Sequence, residues 1–323
     1  MPAGSNYGTA QLSRTQPNFG DEVFDGISTN NPVVYILRKS GNIKVTDGGR
    51  VFTHPLMYAL NTSFAARAHD ATIPTPDPQT HTHSEWNVRT ISGSITLFKL
   101  HQAMNQGKSV ILKYLEEKKT SAVTSMTEVA GDEFVDGTGT GDSWDSLETI
   151  ISTTNTTTVG GIAGSDATWQ NYSAAIAGAF NTTNNGVNAM DALLRGTSFG
   201  ASGPTAFFTT SAVYGLYYLA NVGNIRYDMS KLAGSRVSLA DSHFEYLNFG
   251  PRPVLYDDNI DTGLLYGVDT TSLWLQVLKM GNLVTTDFEA AVNQLSDVAL
   301  MYLFGNLTTG NRRTNGVITG ITS

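Results

Sequence analysis

Apolar residues recur along this chain with two different periods, and the switches between them mark out its parts. Residues 1–31 show neither period: they are polar, dotted with glycine and proline, and read as an extended arm. "PVVYILRK", residues 32–39, is an apolar run stopped by Gly41, which predicts a short helix. Strand character follows around Val51–Phe52 and Leu56–Leu60. A return strand is expected in "WNVRTISGSITLF", residues 86–98, where Ile91, Ile95 and Leu97 fall on one side of a period-two pattern. Between the two lies "PTPDPQTHTHSEW", residues 74–86. Pro74, Pro76 and Pro78 fix φ and remove N–H donors, which suits the tip of a two-stranded arm. A two-stranded ribbon is marginal by itself in water, so the arm is expected to lie on something else.

From Lys99 to Ala130 the period lengthens. Leu100, Met104, Ile111, Leu115, Ala122, Met126 and Ala130 recur mostly at three, four or seven, predicting an amphipathic helix with a break at "NQG", 105–107. Lys108, Lys113, Lys118 and Lys119 occupy mostly its other faces, as on a solvated surface. Residues 142–186 are rich in Thr, Asn and Gly, with "SWDSLETIIS" as a short helix. An α/β layer follows: helix "VNAMDALLR", strand "TAFFTT", helix "SAVYGLYYLANV". The last third offers the strands "HFEYLNFG", "RPVLYDD", "SLWLQVL", "VALMYLFGNLTTG" and "RRTNGVITGI", read as an antiparallel set. The fold class is therefore α+β.

Composition narrows the partners. Charged residues are only 15% of the 323, and Thr, Asn, Ser and Gly are abundant, which suits a chain that covers itself with copies of itself. The net charge of −8 lies mostly beyond Gly131, and no basic run marks a nucleic-acid grip, so DNA beside this chain meets a weakly interacting wall. Without cysteine there is no disulfide and no thiolate metal site. No stretch has the apolar length of a membrane span, and "MPAGSNYGTAQL" lacks the basic and apolar regions of a secretory signal, so neither is expected.

Four motifs invite chemical readings. His81-x-His83, with Glu85 nearby and His54 and His69 across the ribbon, resembles part of a zinc site. Zinc needs three or four ligands in a fixed frame, and the proline-rich run suits an exposed tip better. "GTSFG", 196–200, has the spacing of a nucleophile elbow at Ser198, with Asp228, Asp241 and His243 following. An elbow needs a strand before its serine and a helix after; here a helical pattern precedes and a turn follows. "DDNIDTG" places Asp257, Asn259 and Asp261 alternately, as in a calcium loop, but Thr262 and Val268 stand where an EF-hand requires Gly and Glu. "GTGTG", 137–141, follows a helix rather than a strand, against a phosphate cradle. No enzyme constellation survives, and neither catalytic residue nor cofactor is expected.

Five stretches in order carry a resemblance: "GNIKVTDGGRVFTHPLMYALN", "DGTGTGDSWDSLETIIS", "TVGGIAGSDATWQNY", "FEYLNFGPRPVLYDDNIDTGLLYGVDTTSLWL" and "GNLTTGNRRTNGVITGI". They resemble major capsid proteins of tailed bacteriophages, with the shell fold named after the phage Hong Kong ninety-seven, from about Val33 onward. The resemblance implies an N-terminal arm and short helix (1–48), an extended two-stranded loop (49–98), a peripheral lobe with its long spine helix (99–147), an axial lobe (148–250), and closing strands shared between the lobes (251–323), Arg312 and Arg313 returning to the peripheral lobe. The loop would lie across a neighbouring subunit, with Pro74, Pro76, Pro78, His81, His83 and Trp86 as contacts at its tip. A boundary position there would let protonation of the two histidines near pH 6 bias assembly. Lys108, Lys113, Lys118 and Lys119 would be inner-face charges. The implied partners are copies of the chain in hexamers and pentamers, a portal protein, a separate scaffolding protein, a cement protein and weakly held packaged DNA. Some relatives weld their shells with a Lys–Asn bond from the extended loop; between Lys44 and Lys99 there is no lysine, so a non-covalent shell is expected. The alternatives are a bacterial nanocompartment shell of the same fold, or a hydrolase or metal-binding protein using Ser198 or His81 and His83.

Overall fold

The computed structural model describes residues 31–104, 108–176, 178–181, 185–200, 202–221 and 247–322. In chain order its first elements are α1 (Pro32–Lys39), β1 (Ile43–Thr46), β2 (Val51–Met57), β3 (His81–Asn87), β4 (Arg89–Phe98), α2 (Lys99–Met104), α3 (Lys108–Val135), α4 (Leu147–Ile150) and β5 (Tyr172–Ala175). Then come α5 (Asn185–Thr197), β6 (Ala206–Thr209), α6 (Ser211–Asn221), β7 (Leu247–Phe249), β8 (Arg252–Tyr256), β9 (Leu265–Val268), β10 (Leu273–Leu278), β11 (Val284–Thr285), β12 (Glu289–Ala290), β13 (Ser296–Thr309) and β14 (Gly316–Thr319).

Helix α1 forms as its sequence predicts. The Asn31 side chain accepts from the Val34 amide, Pro32 opens the helix without a missing bond, and Gly41 at φ +70 ends it. Its apolar face buries Val33, Val34, Ile36 and Leu37 against the end of α3, where Asn31 also donates to the Gly131 carbonyl at 3.2 Å. The spine helix α3 is amphipathic in its second half, burying Met126, Ala130 and Phe134 at four-residue intervals. The predicted break at 105–107 lies outside the described residues. Leu100 and Met104, expected on the apolar face, are 67% and 73% exposed.

Two six-stranded sheets organise the rest. In the first, the 14-residue β13 is the axis: β4 runs antiparallel along one edge, from Phe98 opposite Ser296 to Arg89 opposite Gly305, and β10, β11 and β12 pair with it too. β1 adds to β10 in parallel. The second sheet has the order β5-β14-β9-β6-β8-β7. Its strands β6 and β9 are buried on both faces, which explains the unbroken apolar run "AFFT". Phe208 faces the main core with Leu255 and Tyr266, while Phe207 faces a smaller core formed with Met190, Leu193, Val213 and Ile318.

The closing third is thus not one antiparallel set. β10 lies parallel to β1, β8 to β6 and β14 to β5, and the strands divide between the two sheets. β9, to which no strand was assigned from sequence, is central to the second sheet, because buried runs carry no alternation to read.

The extended segment 49–98 divides into three structural situations. β4 is an integral strand of the first sheet, with Ile91, Ile95 and Leu97 buried. The partner of β2 is β3, in register from Val51 opposite Asn87 to Met57 opposite His81. Only the 23 residues 58–80 connect those two strands outside regular structure.

Candidate assembly surface

The ribbon β2–β3 is two-faced, and period-two geometry decides which side chain goes where. Phe52, His54, Ser84 and Trp86 point inward and are buried; His81, His83 and Glu85 point outward and are exposed. The inner face is fixed to the chain's own body. The Trp86 ring lies over Gly160, where φ is +60 and an added Cβ would stand 3.0 Å from the indole. Beside it the Glu85 amide donates to the Gly160 carbonyl at 2.9 Å, and Trp86 Nε1 donates to Ser84 Oγ. His54 stacks on Trp274 at 4.7 Å and pairs with Thr308 Oγ1 at 3.1 Å. Burial first, then the Lys44 ammonium, lowers the His54 imidazole to about 4.

This corrects the placement of Trp86. It was expected at the tip of the projection but is 1% exposed, a core side chain at the ribbon's root. The physical reason is alternation: Trp86 shares the inward face with Ser84, one residue out of phase with His83 and Glu85. His81 and His83 are likewise in the strand rather than at a tip. They lie opposite Met57 and Pro55, His83 Nε2 is 2.9 Å from Glu85 Oε1, and His81 Nδ1 is 2.8 Å from Thr80 Oγ1. Pro74 and Pro76 are exposed and Pro78 half-buried in the irregular connection.

Beyond Met57 the chain leaves the body. Met57, Leu60, Phe64 and Ile73 are 63%, 76%, 84% and 69% exposed. Hydrogen bonds there are local, as between Tyr58 Oη and the Gln79 carbonyl or the Ser63 amide and Asn61 Oδ1. Under the base of this connection lies an open groove of about 540 Å³, with Leu56, Ile162, Trp169, Phe199 and Arg313 among its walls.

A second exposed apolar set sits where β4 ends and β13 begins. The Lys99 amide donates to the Leu295 carbonyl there, between the exposed Phe98 and Leu100 on one side and the exposed Leu295 on the other. Along α3, Lys118 is exposed and lines a groove against β4, while Lys119 is half-buried; Lys108 and Lys113 lie in the helix's first turns.

The remaining motifs resolve as follows. Ser198 follows α5, its amide donating to the Leu194 carbonyl, so the strand–serine–helix order of an elbow is reversed. Asp228, Asp241 and His243 lie outside the described residues. Asp257 to Gly263 is a turn after β8, in which Asp257 Oδ1 accepts from the Asn259 amide. Arg312, whose role sequence reasoning did not specify, is fully buried in the connection from β13 to β14. It donates from Nε to the Ile150 carbonyl at 2.7 Å and from Nη1 to the Thr157 carbonyl at 3.0 Å, and burial lowers its guanidinium to about 10. Among the described residues no helix is long and apolar enough to cross a membrane.

No family model and no curated protein matches the sequence. Solved structures do match. A chain of the cyanophage A-1(L) capsid asymmetric unit superposes with a TM-score of 0.62 over 87% of this chain and 91% of that one, at 12% identity. A chain of the empty GTA particle capsid gives 0.55 over 88% and 96%, also at 12% identity. A chain of a virus-like particle from Pyrococcus furiosus gives 0.52 over 94% and 98%, at 11% identity. The arrangement of helices, ribbon and sheets is the phage capsid shell fold.

Proposed function

We propose that this chain is the major capsid protein of a tailed bacteriophage, tiling a closed icosahedral head around double-stranded DNA through non-covalent contacts. The observation that carries the reading is the segment 58–80. A chain with the shell fold holds a ribbon rigidly at its root and extends large apolar side chains, Phe64 foremost, away from its own body. Fully burying one such side chain is worth about 1.5–3 kcal/mol, and a neighbouring copy supplies the cover. The exposed Phe98 and Leu295, where the end of β4 meets the chain leading into β13, give a second contact of the same kind. Many weak contacts of this sort close a surface when symmetry forbids open-ended growth.

In this reading Pro74, Pro76 and Pro78 limit the conformations that the projection loses on docking. His81 and His83 face outward at the start of the projection, and Lys108, Lys113, Lys118 and Lys119 belong to the interior side of the spine helix. Hexamers and pentamers of the chain, a portal, a separate scaffold and a cement protein complete the particle, which assembles in the host cytoplasm and persists as the virion shell. A second reading, a nanocompartment shell with protein cargo, is favoured by the match to the Pyrococcus furiosus virus-like particle.

Deleting residues 61–77 and joining the ends with a short glycine linker is expected to leave a folded subunit that forms no closed shells. Negative-stain microscopy of the expressed proteins checks this, and full-size particles from the deletion would overturn the role of the projection. Nuclease-resistant DNA in native particles supports the phage head; a protein cargo supports the alternative.

A further inference from the structure

Among the described residues β4 pairs only with β13, which leaves its outer edge open. The Lys99 amide donates to the Leu295 carbonyl at 2.9 Å, continuing the register of Phe98 opposite Ser296. Antiparallel pairs alternate between bonded and non-bonded, so the odd-numbered residues of β4 turn their N–H and C=O groups to β13. Thr90, Ser92, Ser94, Thr96 and Phe98 turn theirs outward. Val88 fixes the same phase, since its amide donates to the Arg50 carbonyl rather than to β13.

A groove runs beside this edge. It holds about 470 Å³ between β4 and α3, with Ile95, Ala122, Ser125 and Val129 among its walls. Gly93 keeps it open, because a Cβ added there meets nothing within 4 Å. On the opposite face of the strand, the Phe98 side chain is exposed.

The segment 73–78, "IPTPDP", is suited to pairing along one side only. Ile73, Thr75 and Asp77 each precede a proline, which biases them to extended backbone. Successive residues of an extended segment point their backbone groups to alternate sides. The missing N–H groups of Pro74, Pro76 and Pro78 therefore all fall on one edge. The complete N–H and C=O sets of Ile73, Thr75 and Asp77 fall on the other. Among the described residues none of those sets makes a backbone hydrogen bond, and Ile73 to Asp77 are exposed.

We propose that residues 73–78 of a second copy add to the outer edge of β4 as an antiparallel strand, with Ile73 opposite Phe98, Thr75 opposite Thr96 and Asp77 opposite Ser94. This rests on the shell reading and specifies where its projection binds. The side chains select the register. Ile73 and Phe98, both exposed in the single chain, cover each other, and Thr75 meets Thr96 in a favourable cross-strand pair. Pro74, Pro76 and Pro78 then fall beside Leu97, Ile95 and Gly93 on the groove side, and Pro78 enters the space that Gly93 leaves. A slip of one residue turns the proline edge, which has no donors, towards β4. The same prolines blunt the new outer edge, so one strand adds and growth stops there.

Because the chain has no cysteine, crosslinking reads the register without background. Chains carrying Thr75→Cys and Thr96→Cys, assembled and treated with a short bismaleimide, are expected to run as subunit multimers on denaturing gels. Thr75→Cys with Thr90→Cys, further along the same edge, should yield few. Thr75→Pro removes the donor opposite Thr96 and should raise the concentration needed for shell formation at least about tenfold. Thr75→Ala keeps that donor and should produce a clearly smaller rise. Thr75 is exposed in the single chain, so the unfolding midpoint should not move in either variant. Particles that yield no multimers through Thr75→Cys and Thr96→Cys, or parent-like assembly by Thr75→Pro, overturn the strand addition and leave the shell reading standing. A parent chain that forms no particles overturns both.

Discussion

Gly160 carries the root of the projection. At φ +60 it adopts a conformation that costs an L side chain about 1–2 kcal/mol, and an added Cβ would stand only 3.0 Å from the Trp86 indole, a tight contact. Gly160→Ala is therefore expected to destabilise the subunit by about 1–3 kcal/mol, measured by denaturant unfolding. His54, on the ribbon's inner face, couples stability to pH. Its folded value of about 4 lies below the ordinary 6.5, so the folded state binds fewer protons than the unfolded chain. The associated stability is complete above about pH 6.5 and is lost as pH falls towards 4, by at most about 3 kcal/mol. His54→Gln should flatten the stability–pH curve across that window, whatever it does to the absolute value; an unchanged slope would show that His54 titrates normally.

At the scale of elements, the ribbon separates anchoring from reach. Its root is buried by Phe52, His54 and Trp86, and its far end exposes Leu60, Phe64 and Ile73. Substitutions at the two ends should consequently fail in different assays. Phe64→Ser is expected to change subunit unfolding by less than about 0.5 kcal/mol, since the side chain touches little of its own chain. The same change should raise the concentration needed for shell formation about tenfold, read by light scattering. A loss of subunit stability instead would place Phe64 in an intramolecular contact. The alternation that separates these roles was legible in "HTHSEW" as a pattern, but its phase was not: nothing local says whether the His81 and His83 face or the Ser84 and Trp86 face meets the body.

At the scale of the molecule, the chain carries a formal charge of −8, and its described surface exposes large apolar side chains that the proposed shell would cover. Like-charged subunits repel over roughly the Debye length, about 10 Å at 0.1 M salt, while apolar burial is insensitive to moderate salt. Raising sodium chloride from about 0.05 to about 0.5 M should thus increase shell yield from purified subunits. A fall in yield would mean that ion pairs between subunits dominate assembly.

Local chemistry determined much of this protein. Asn31–Pro32 with Gly41 sets the first helix, the four-residue spacing of Met126, Ala130 and Phe134 sets the buried face of the spine, and the alternation in β2 and β3 sets a two-faced ribbon. These are short-range consequences of backbone geometry, capping and side-chain period, so a linear pattern suffices. Strand pairing was decided only by tertiary structure. Residues 81–87 join β2 while residues 89–98 join β13, some two hundred positions away, and β9 is inserted between β14 and β6. The Trp86–Gly160 contact belongs to the same class. Each depends on which distant surfaces bury one another, a choice made by the summed packing of the whole chain and written in no single segment of it.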